Sequence, residues 1–291
     1  MNYPKISIVT INLNNARFLE ETIQSVLSQN YPNLEYIIID GGSTDGSIDI
    51  IKKHENQLAY WVSEKDDGYG FALQKGFRKA TGEIMAWLNS DDVYHPGSLF
   101  AVTDFFSKYP QVKWLTGFPS WLSEKSYRVG EMPNIENSFW KKRSDLYLKY
   151  SRWSRIRYLG GDFQAIQQES TFWKRKLWEK AGKGVNTDYK LAVDTELWCR
   201  FFRHENLYTM PALLASFRYG SEGQITRVKK KEYFEECLRI LKKENDTFGF
   251  SQKANFRIRF LLAQVLKPFY YFDFPLGFLY ERLLKIPTHP D

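Results

Sequence analysis

The chain has 291 residues, of which 43% are hydrophobic and 26% charged, and its formal net charge is +7. This composition is typical of a folded globular protein, and a chain of this length buries a sizeable core. Two cysteines are too few for a disulfide framework or a cysteine-built zinc site, and no run approaches the roughly 18 uncharged apolar residues that span a membrane.

The first 116 residues alternate apolar strand patterns with amphipathic helix patterns. Near-continuous apolar runs predict strands over 6–11, 34–39, 59–62, 84–88 and 112–116. Helical spacing predicts a helix with an apolar face from Phe18 to Leu27 that stops near Tyr31 and Pro32, helices over 71–80 and 97–109, and another helix after the turn at 41–47. Strands that are apolar on both faces and alternate with helices favour an α/β fold, with a mostly parallel sheet covered on both sides.

The pattern is weaker after residue 117. Helical spacing returns at 175–181, 194–204 and 230–248, and we find no internal repeat or low-complexity linker. Charge also divides the chain, because residues 1–135 hold 12 basic and 16 acidic side chains, whereas residues 136–291 hold 29 and 18. The first part suits a metal and nucleotide site, and the second suits phosphates or an anionic membrane surface.

Polar side chains follow four of the predicted strands. They are Thr10 and Asn12, Asp40, residues 64–67 and residues 89–92. Because ligands bind outside the carboxyl ends of the strands in such sheets, we expect these groups to converge on one crevice.

Two adjacent carboxylates, Asp91 and Asp92, end the fourth strand and repel each other unless a cation lies near. Carboxylate oxygens suit Mg²⁺ or Mn²⁺, which also bridge to a diphosphate. Asp40 is placed to accept hydrogen bonds from a base or ribose, and Lys75 to face a phosphate. These residues predict a metal–nucleotide site. The alternative for the two carboxylates is a plain turn before the proline that follows.

Three stretches of the sequence resemble family 2 glycosyltransferases of the GT-A fold. The first two are SIVTINLNNARFLEETIQSVLSQNYPNLEYIIIDGGSTDGS and WVSEKDDGYGFALQKGFRKATGEIMAWLNSDDVYHPG, and with them the resemblance covers residues 4–118 almost continuously. The third region, 164–226, matches in pieces at QQESTFWKRKLWEKAG, VDTELWCRFF and ASFRYGSEGQIT. No single motif is specific, but their combination is.

The resemblance implies a GT-A catalytic domain over 1–226, with a nucleotide and metal half at 1–118 and an acceptor half at 119–226. A C-terminal helical extension follows at 227–291. The implied reaction moves one sugar, a hexose or N-acetylhexosamine, from a nucleotide-diphosphate sugar to a glycan or lipid-linked saccharide by direct displacement with inversion. On family grounds the donor is a UDP-sugar. A processive synthase would show a QxxRW motif and membrane spans, which this sequence lacks.

The resemblance also assigns the donor side of the site. Asp92 would bind Mn²⁺ or Mg²⁺, which stabilises the leaving diphosphate, and Asp91 would bind the metal or the ribose. The other contacts with the donor would be Thr10, Asn12, Asp40, Asp67 and Lys75.

The acceptor side of the reaction needs a carboxylate base that removes the hydroxyl proton. The resemblance places that base at Asp194 of VDTELW, and the alternative is that Asp194 caps the helix that follows. The fallback candidates for the base are Asp188, Glu169 and Glu196. The sugar or acceptor pocket would be lined by Gln168, Glu169, Glu196 and Trp198.

The sequence departs from the family pattern at two places. Relatives read close to DxGxxDAxNKG, whereas DDGYGFALQKG puts Phe71 and Gln74 where an Asp and an Asn are usual. Many relatives carry a His after Phe-Arg in the C-terminal loop, but Tyr219 follows Arg218 here, so no His ligand is predicted. These departures leave open a degenerate protein that binds a nucleotide sugar without turnover. A nucleotidyltransferase is the other rival, but TINLNNARF lacks its Gly-rich loop with Arg and Lys.

Basic and aromatic residues are concentrated in 140–158 and 254–287. Lys and Arg attract anionic head groups and aromatic rings settle at the interface, so both segments are candidates for peripheral membrane contact. The alternative is that they pack on the catalytic domain or on a second subunit. The N-terminal strand pattern begins at once, without a signal-peptide layout, so we expect a cytoplasmic protein, or one at the inner face of the cytoplasmic membrane. No nucleic-acid partner is expected.

Overall fold

The computed structural model describes residues 3–123, 125, 128–129, 152–153, 158, 166–219, 228–247, 258 and 261. The strands are β1 Ile6–Asn12, β2 Leu34–Asp40, β3 Tyr60–Ser63, β4 Ile84–Asn89, β5 Val93–Tyr94, β6 Trp114–Thr116, β7 Trp121–Ser123, β8 Arg128–Val129, β9 Arg152–Trp153, β10 Thr171–Lys174, β11 Leu207–Thr209 and β12 Ala215–Tyr219. The helices are α1 Ala16–Leu27, α2 Ser47–Lys53, α3 Tyr69–Lys79, α4 Ser98–Lys108, α5 Arg175–Lys180, α6 Val193–Phe202 and α7 Lys230–Asp246.

The main sheet has the strand order β3-β2-β1-β4-β10-β6-β11-β9. Strand β1 pairs in parallel with β2 and β4, and β2 pairs in parallel with β3. Strand β10 is antiparallel to both of its neighbours, β4 and β6. The predicted α/β fold with a mostly parallel sheet is confirmed, whereas β10 itself is absent from the sequence prediction.

Close packing of α3 on this sheet explains a glycine in the middle of a helix. A Cβ on Gly76 would lie 2.4 Å from Val9 Cγ1 and 3.3 Å from Ile39 Cγ1. Glycine inside a helix costs about 0.5–1 kcal/mol relative to alanine, but no larger residue fits between α3 and strands β1 and β2. The close contact fixes the first turn of α3 at the carboxyl edge of the strands.

Aromatic rings fill the centre of the core. The five largest are Trp87, Trp114, Trp173, Trp178 and Trp198. Trp198, on α6, stacks on Trp87 with the ring centroids 5.4 Å apart, and only 1% of its surface is exposed. The structure therefore puts Trp198 in the core instead of the sugar or acceptor pocket that the resemblance implies, because the apolar face of α6 packs onto the sheet.

A second sheet has the order β5-β12-β7-β8. Strand β5 begins directly after Asp92 and pairs antiparallel with β12, which also pairs in parallel with β7. Strand β12 contains Arg218 and Tyr219, in a segment that the sequence analysis treats as a loop. Its pairing with β5 brings Arg218 beside the adjacent carboxylates.

Helix α7 packs against α6. Its residues Cys237, Ile240 and Leu241 belong to the same hydrophobic core as the main sheet. Within the described ranges, no helix combines the length and apolar character needed to cross a membrane. The predicted membrane-contact segments 140–158 and 254–287 lie outside the described residues, apart from 152–153, 158, 258 and 261.

Candidate active site

The parallel registers of β1, β2, β3 and β4 bring their last residues to one edge. Asn12 lies opposite Asp40, and Asp40 opposite Ser63. On the other side of β1, Ile11 lies opposite Asn89. The polar strand ends that the sequence analysis expected to converge therefore do so, and this edge is the candidate site.

Asp40 organises the turn that follows β2. Its Oδ1 accepts hydrogen bonds from Asn12 Nδ2 at 2.7 Å and Ser43 Oγ at 2.6 Å. Its Oδ2 accepts from the backbone N–H groups of Gly42 and Ser43 and from Ser63 Oγ. Burial raises the pKa of Asp40, but the hydrogen bonds lower it below its usual value. Because both oxygens are committed to the protein, a nucleoside contact by Asp40 would have to replace one of these bonds.

Asn12 keeps a free acceptor at the same edge. Its Nδ2 donates to Asp40 and to Ser43 Oγ, whereas its buried Oδ1 has no hydrogen-bond partner among the described residues. A buried acceptor without a partner costs free energy that a ligand N–H would recover. Thr10 lies deeper: it is fully buried and accepts a hydrogen bond from Tyr36 Oη at 3.1 Å, so the structure does not bring it to the edge.

Asp92, in the loop between β4 and β5, is completely buried. Its Oδ1 accepts a hydrogen bond from the Arg218 backbone N–H at 2.9 Å, and its Oδ2 accepts from Asn89 Nδ2 at 3.3 Å. Burial, and then the charges of Asp91 and Glu169, raise the pKa of Asp92 well above its usual range. Asp91 is half-buried, and burial raises its pKa although the nearby Arg218 charge lowers it.

Arg218 holds this loop from the second sheet, a role that the sequence analysis missed. Its side chain is fully buried, and its Nε donates to the backbone oxygen of Asp91 at 2.7 Å. Its Nη2 forms an ion pair with Glu21 at 2.6 Å, and its guanidinium lies 4.5 Å from the centre of the Phe18 ring. The only sequence signal for Arg218 is the Phe-Arg pair itself. The resemblance draws attention to this pair because a His usually follows it in relatives.

Glu169 faces the same region from the turn before β10. It is 2% exposed, and in the part of the chain that the structure describes its Oε1 has no hydrogen-bond partner. Burial, and then the charges of Asp91 and Asp194, raise its pKa to about 8. Its neighbour Gln168 links β4 to this turn, because Nε2 donates to the Trp87 backbone oxygen and Oε1 accepts from Asn89 Nδ2.

Asp194 is the second residue of α6. The residue at the N-cap is Ala192, and Asp194 Oδ1 instead accepts the Thr195 backbone N–H at 2.7 Å, so Asp194 is not the cap residue. Burial raises its pKa to about 6. Burial raises the pKa of Tyr69, and the charges of Asp194, Asp92 and Asp91 raise it further. The Tyr69 hydroxyl donates to Asn89 Oδ1. Asp194 thus belongs electrostatically to the same region.

We call Asp91, Asp92, Glu169 and Asp194 the acidic cluster. Each of these carboxyl groups has a pKa above its usual value, which is the signature of buried acids that lack enough positive charge. Such groups are concentrated at functional sites. A divalent cation together with an anionic ligand would balance this charge.

Other predicted residues lie outside the acidic cluster. Lys75 forms an ion pair with Glu64 at 2.8 Å, and Asp67 is exposed. Glu196 is bound to Arg200, whose guanidinium also donates to two backbone oxygens, so this pair braces α6. Asp188 is exposed. The predicted donor contacts of Lys75 and Asp67 stay predictions.

The two departures from the family pattern have different surroundings. Phe71 is 42% exposed on the first turn of α3. Gln74 accepts the Val185 backbone N–H at 2.6 Å and so ties α3 to the loop before α6. Gln74 therefore has a structural role in place of the Asn that is usual in relatives. This substitution removes none of the groups of the site described above.

The oxygen atoms available as metal ligands in the site fit a hard divalent cation. Adjacent carboxylates and the unpartnered Glu169 oxygen supply the ligand type that Mg²⁺ and Mn²⁺ prefer. In the described part of the chain, no three His, Cys, Asp or Glu side chains form a ready metal cage. Mg²⁺ commonly uses one or two carboxylates and completes its shell with phosphate and water, so the pair Asp91 and Asp92 is compatible with such binding.

Known proteins match both the sequence and the fold. The model of the family described as "Glycosyl transferase family 2" matches residues 7–171. An uncharacterized glycosyltransferase of Nostoc sp. is 39% identical over 105 residues, which are 35% of this chain and 33% of that relative. The chain thus matches about a third of the length of that relative.

Two solved structures share the fold. TarS residues 1–349 of S. aureus, in complex with UDP-GlcNAc, has a TM-score of 0.66 at 15% identity, covering 88% of this chain and 71% of that one. The mannosyltransferase PcManGT of Pyrobaculum calidifontis, in complex with GDP-Man and Mn²⁺, has a TM-score of 0.56 at 17% identity, covering 98% and 86%. These matches confirm the predicted GT-A fold.

Proposed function

Because the chain belongs to glycosyl transferase family 2, we propose that it transfers one sugar from a nucleotide-diphosphate sugar to a saccharide hydroxyl with inversion. The proposed donor is a UDP-sugar, and the proposed acceptor is a glycan or a lipid-linked saccharide. The observation that carries the proposal is the acidic cluster at the carboxyl edge of the parallel strands. Buried carboxylates with raised pKa values at this edge suit a metal, a diphosphate and a proton transfer.

The solved neighbours support a nucleotide-sugar donor. TarS has been captured with UDP-GlcNAc, and PcManGT with GDP-Man and Mn²⁺. Those ligands are bound by TarS and PcManGT. At such low sequence identity the likeness to this chain shows only a shared fold. This chain has its own set of acidic and amide groups at the carboxyl edge of its parallel strands.

On the donor side, the unpartnered Asn12 Oδ1 would accept an N–H of the nucleobase. Asp91 and Asp92 would hold Mn²⁺ or Mg²⁺. When bound, that metal stabilises the negative charge that develops on the leaving diphosphate. Arg218 keeps both carboxylates in position through its bonds to the Asp91 backbone oxygen and to Asp92 Oδ1.

On the acceptor side, Asp194 would take the proton from the attacking hydroxyl. Its pKa of about 6 keeps it ionised at neutral pH yet makes it more basic than an ordinary aspartate. A general base works best when its pKa is near the operating pH, and burial brings Asp194 towards this range. The bond from the Thr195 backbone N–H to Oδ1 holds the carboxylate in one orientation.

Release of free nucleoside diphosphate tests the proposed reaction. The full-length chain would be incubated with UDP-, GDP- and dTDP-sugars, Mn²⁺ and a panel of soluble and lipid-linked saccharide acceptors. We expect one donor class, the UDP-sugars, to yield nucleoside diphosphate, and EDTA to stop its release. If no donor is consumed with any acceptor, the chain is a binding protein without turnover.

A further inference from the structure

Helix α6, which carries Asp194, begins without a capping side chain of its own. Ala192 occupies the N-cap, and it makes no side-chain hydrogen bond to the first turn. The backbone N–H groups just before α6 nevertheless have a partner on α7. Lys190 N donates to Glu236 Oε1 at 3.0 Å, and Leu191 N and Ala192 N donate to Glu236 Oε2 at 2.8 and 2.9 Å.

Glu236 is a charged group enclosed by these donors. It is 8% exposed, and among the described residues its partners are the three N–H groups and the exposed Arg239, which lies 3.6 Å from Oε1. Burial raises the pKa of Glu236, but the backbone hydrogen bonds lower it to below its usual value, so the group is ionised. A carboxylate at a helix N-terminus is also favoured by the helix dipole. Glu236 thus supplies, from another helix, the anionic partner of the three N–H groups that lead into α6.

Two further contacts fix α7 along α6. Thr195 Oγ1 lies 3.5 Å from Cys237 Sγ, and Arg203 makes a bidentate ion pair with Glu244. The contact residues follow the same order on both sides, 192, 195 and 203 against 236, 237 and 244, so α6 and α7 run in the same general direction. Sliding one helix along the other would break these contacts. Asp194 comes two residues after Ala192, the last amide that Glu236 binds.

We propose that Glu236 is a positioning residue for the transfer reaction. Its carboxylate holds residues 190–192 and so sets the place of Asp194 relative to the rest of the acidic cluster. The inference rests on the proposed function, in which Asp194 is the base. It gives helix α7 a part in that function, although the Glu236 carboxylate does not touch the reacting atoms.

The test is Glu236→Gln, with Glu235→Gln as the matched control. The glutamine has the same shape but one acceptor oxygen, so at least one of the three N–H groups loses its partner. Because displacing a catalytic group by about 1 Å costs up to about 100-fold, we expect kcat to fall about 10- to 100-fold with the donor KM unchanged. Glu235 is exposed on the same helix, and its substitution should leave kcat unchanged.

Two readouts separate positioning from mere stability. Hydrogen exchange should become faster at the amides of 190–192 in Glu236→Gln. In an Asp194→Asn background, the same change should lower the residual rate less than about threefold, because residues that act as a unit are not additive. If Glu236→Gln does not fold, Glu236→Asp keeps the charge on a shorter side chain and should show the same pattern with a smaller loss.

The outcomes are distinct. Unchanged exchange at 190–192, an unchanged kcat of the folded variant, or an equal loss in the Asp194→Asn background would each overturn the positioning role. If the wild-type chain transfers no sugar, or Asp194→Asn is as fast as wild type, the proposed function fails first and the positioning role falls with it. Exchange at 190–192 would then still report whether Glu236 holds these amides.

Discussion

The substitution Asp194→Asn is expected to lower kcat about 100- to 10,000-fold, the range that general-base catalysis contributes. Asparagine keeps the size of the side chain and an oxygen for the Thr195 backbone N–H, but it cannot take a proton from the acceptor hydroxyl. Binding of the donor should be unchanged, because the base acts on the other substrate. Steady-state kinetics together with calorimetric titration of the nucleotide measure both quantities.

The pH dependence of the wild-type reaction gives an independent check on the base. Because burial raises the pKa of Asp194 to about 6, its ionised fraction, and with it kcat/KM, should fall as the pH is lowered through this value. The control variant is Asp188→Asn, which changes an exposed carboxylate five residues before α6 and should retain the wild-type rate. A wild-type rate in Asp194→Asn would remove this residue from the mechanism, and Glu169→Gln would then be the variant to test.

The second large effect is expected for Asp92→Asn. It should weaken metal-dependent nucleotide binding at least about 10- to 100-fold, the usual cost of disturbing a metal site. The amide oxygen still accepts the Arg218 backbone N–H, so the loop keeps its shape while one negative charge is lost. Thermal unfolding should change little, because the variant also relieves repulsion between adjacent buried carboxylates.

Calorimetric titration with the nucleotide, with Mn²⁺ and again with EDTA, measures this effect. Asp104→Asn on α4 is the control, since it removes an exposed carboxylate of the same type. A variant at position 92 that still binds nucleotide tightly and only in the presence of metal would show that Asp92 is not a metal ligand. Asp91→Asn would then decide whether its half-buried neighbour performs the task alone.

Much of the fold follows from local pattern. The continuous apolar runs of β1, β2 and β4 are buried in the sheet, and every helix predicted from periodicity is present. The predicted helix ends agree within two residues except at α1, which ends at Leu27 instead of near Tyr31 and Pro32. Strand β10 could not be predicted in this way, because four residues, Thr171–Lys174, carry too little periodicity. The same holds for the two residues of β5, whose pairing with β12 creates the second sheet.

The residues of the candidate site also fall into those that local pattern predicts and those that it does not. Asn12, Asp40 and Asp92 were predictable, because parallel strands bring their polar ends to one edge. The roles of Arg218 and Glu236 were not, since Arg218 binds Asp92 across 126 residues of sequence and Glu236 binds backbone groups 44 to 46 residues away. Trp198 was predicted to line a pocket, but it lies in the core. An aromatic side chain on a helix face is compatible with either place until its neighbours are known.

The most direct test of a metal-dependent nucleotide-sugar site is calorimetric binding of UDP, GDP, dTDP and CDP to the full-length chain, with Mn²⁺ and again with EDTA. We expect one nucleotide, UDP, to bind with Mn²⁺ and to lose its affinity in EDTA. Binding of another base would keep the site and change the donor class. Failure of all four nucleotides to bind under either condition would contradict the assignment of the acidic cluster to donor binding.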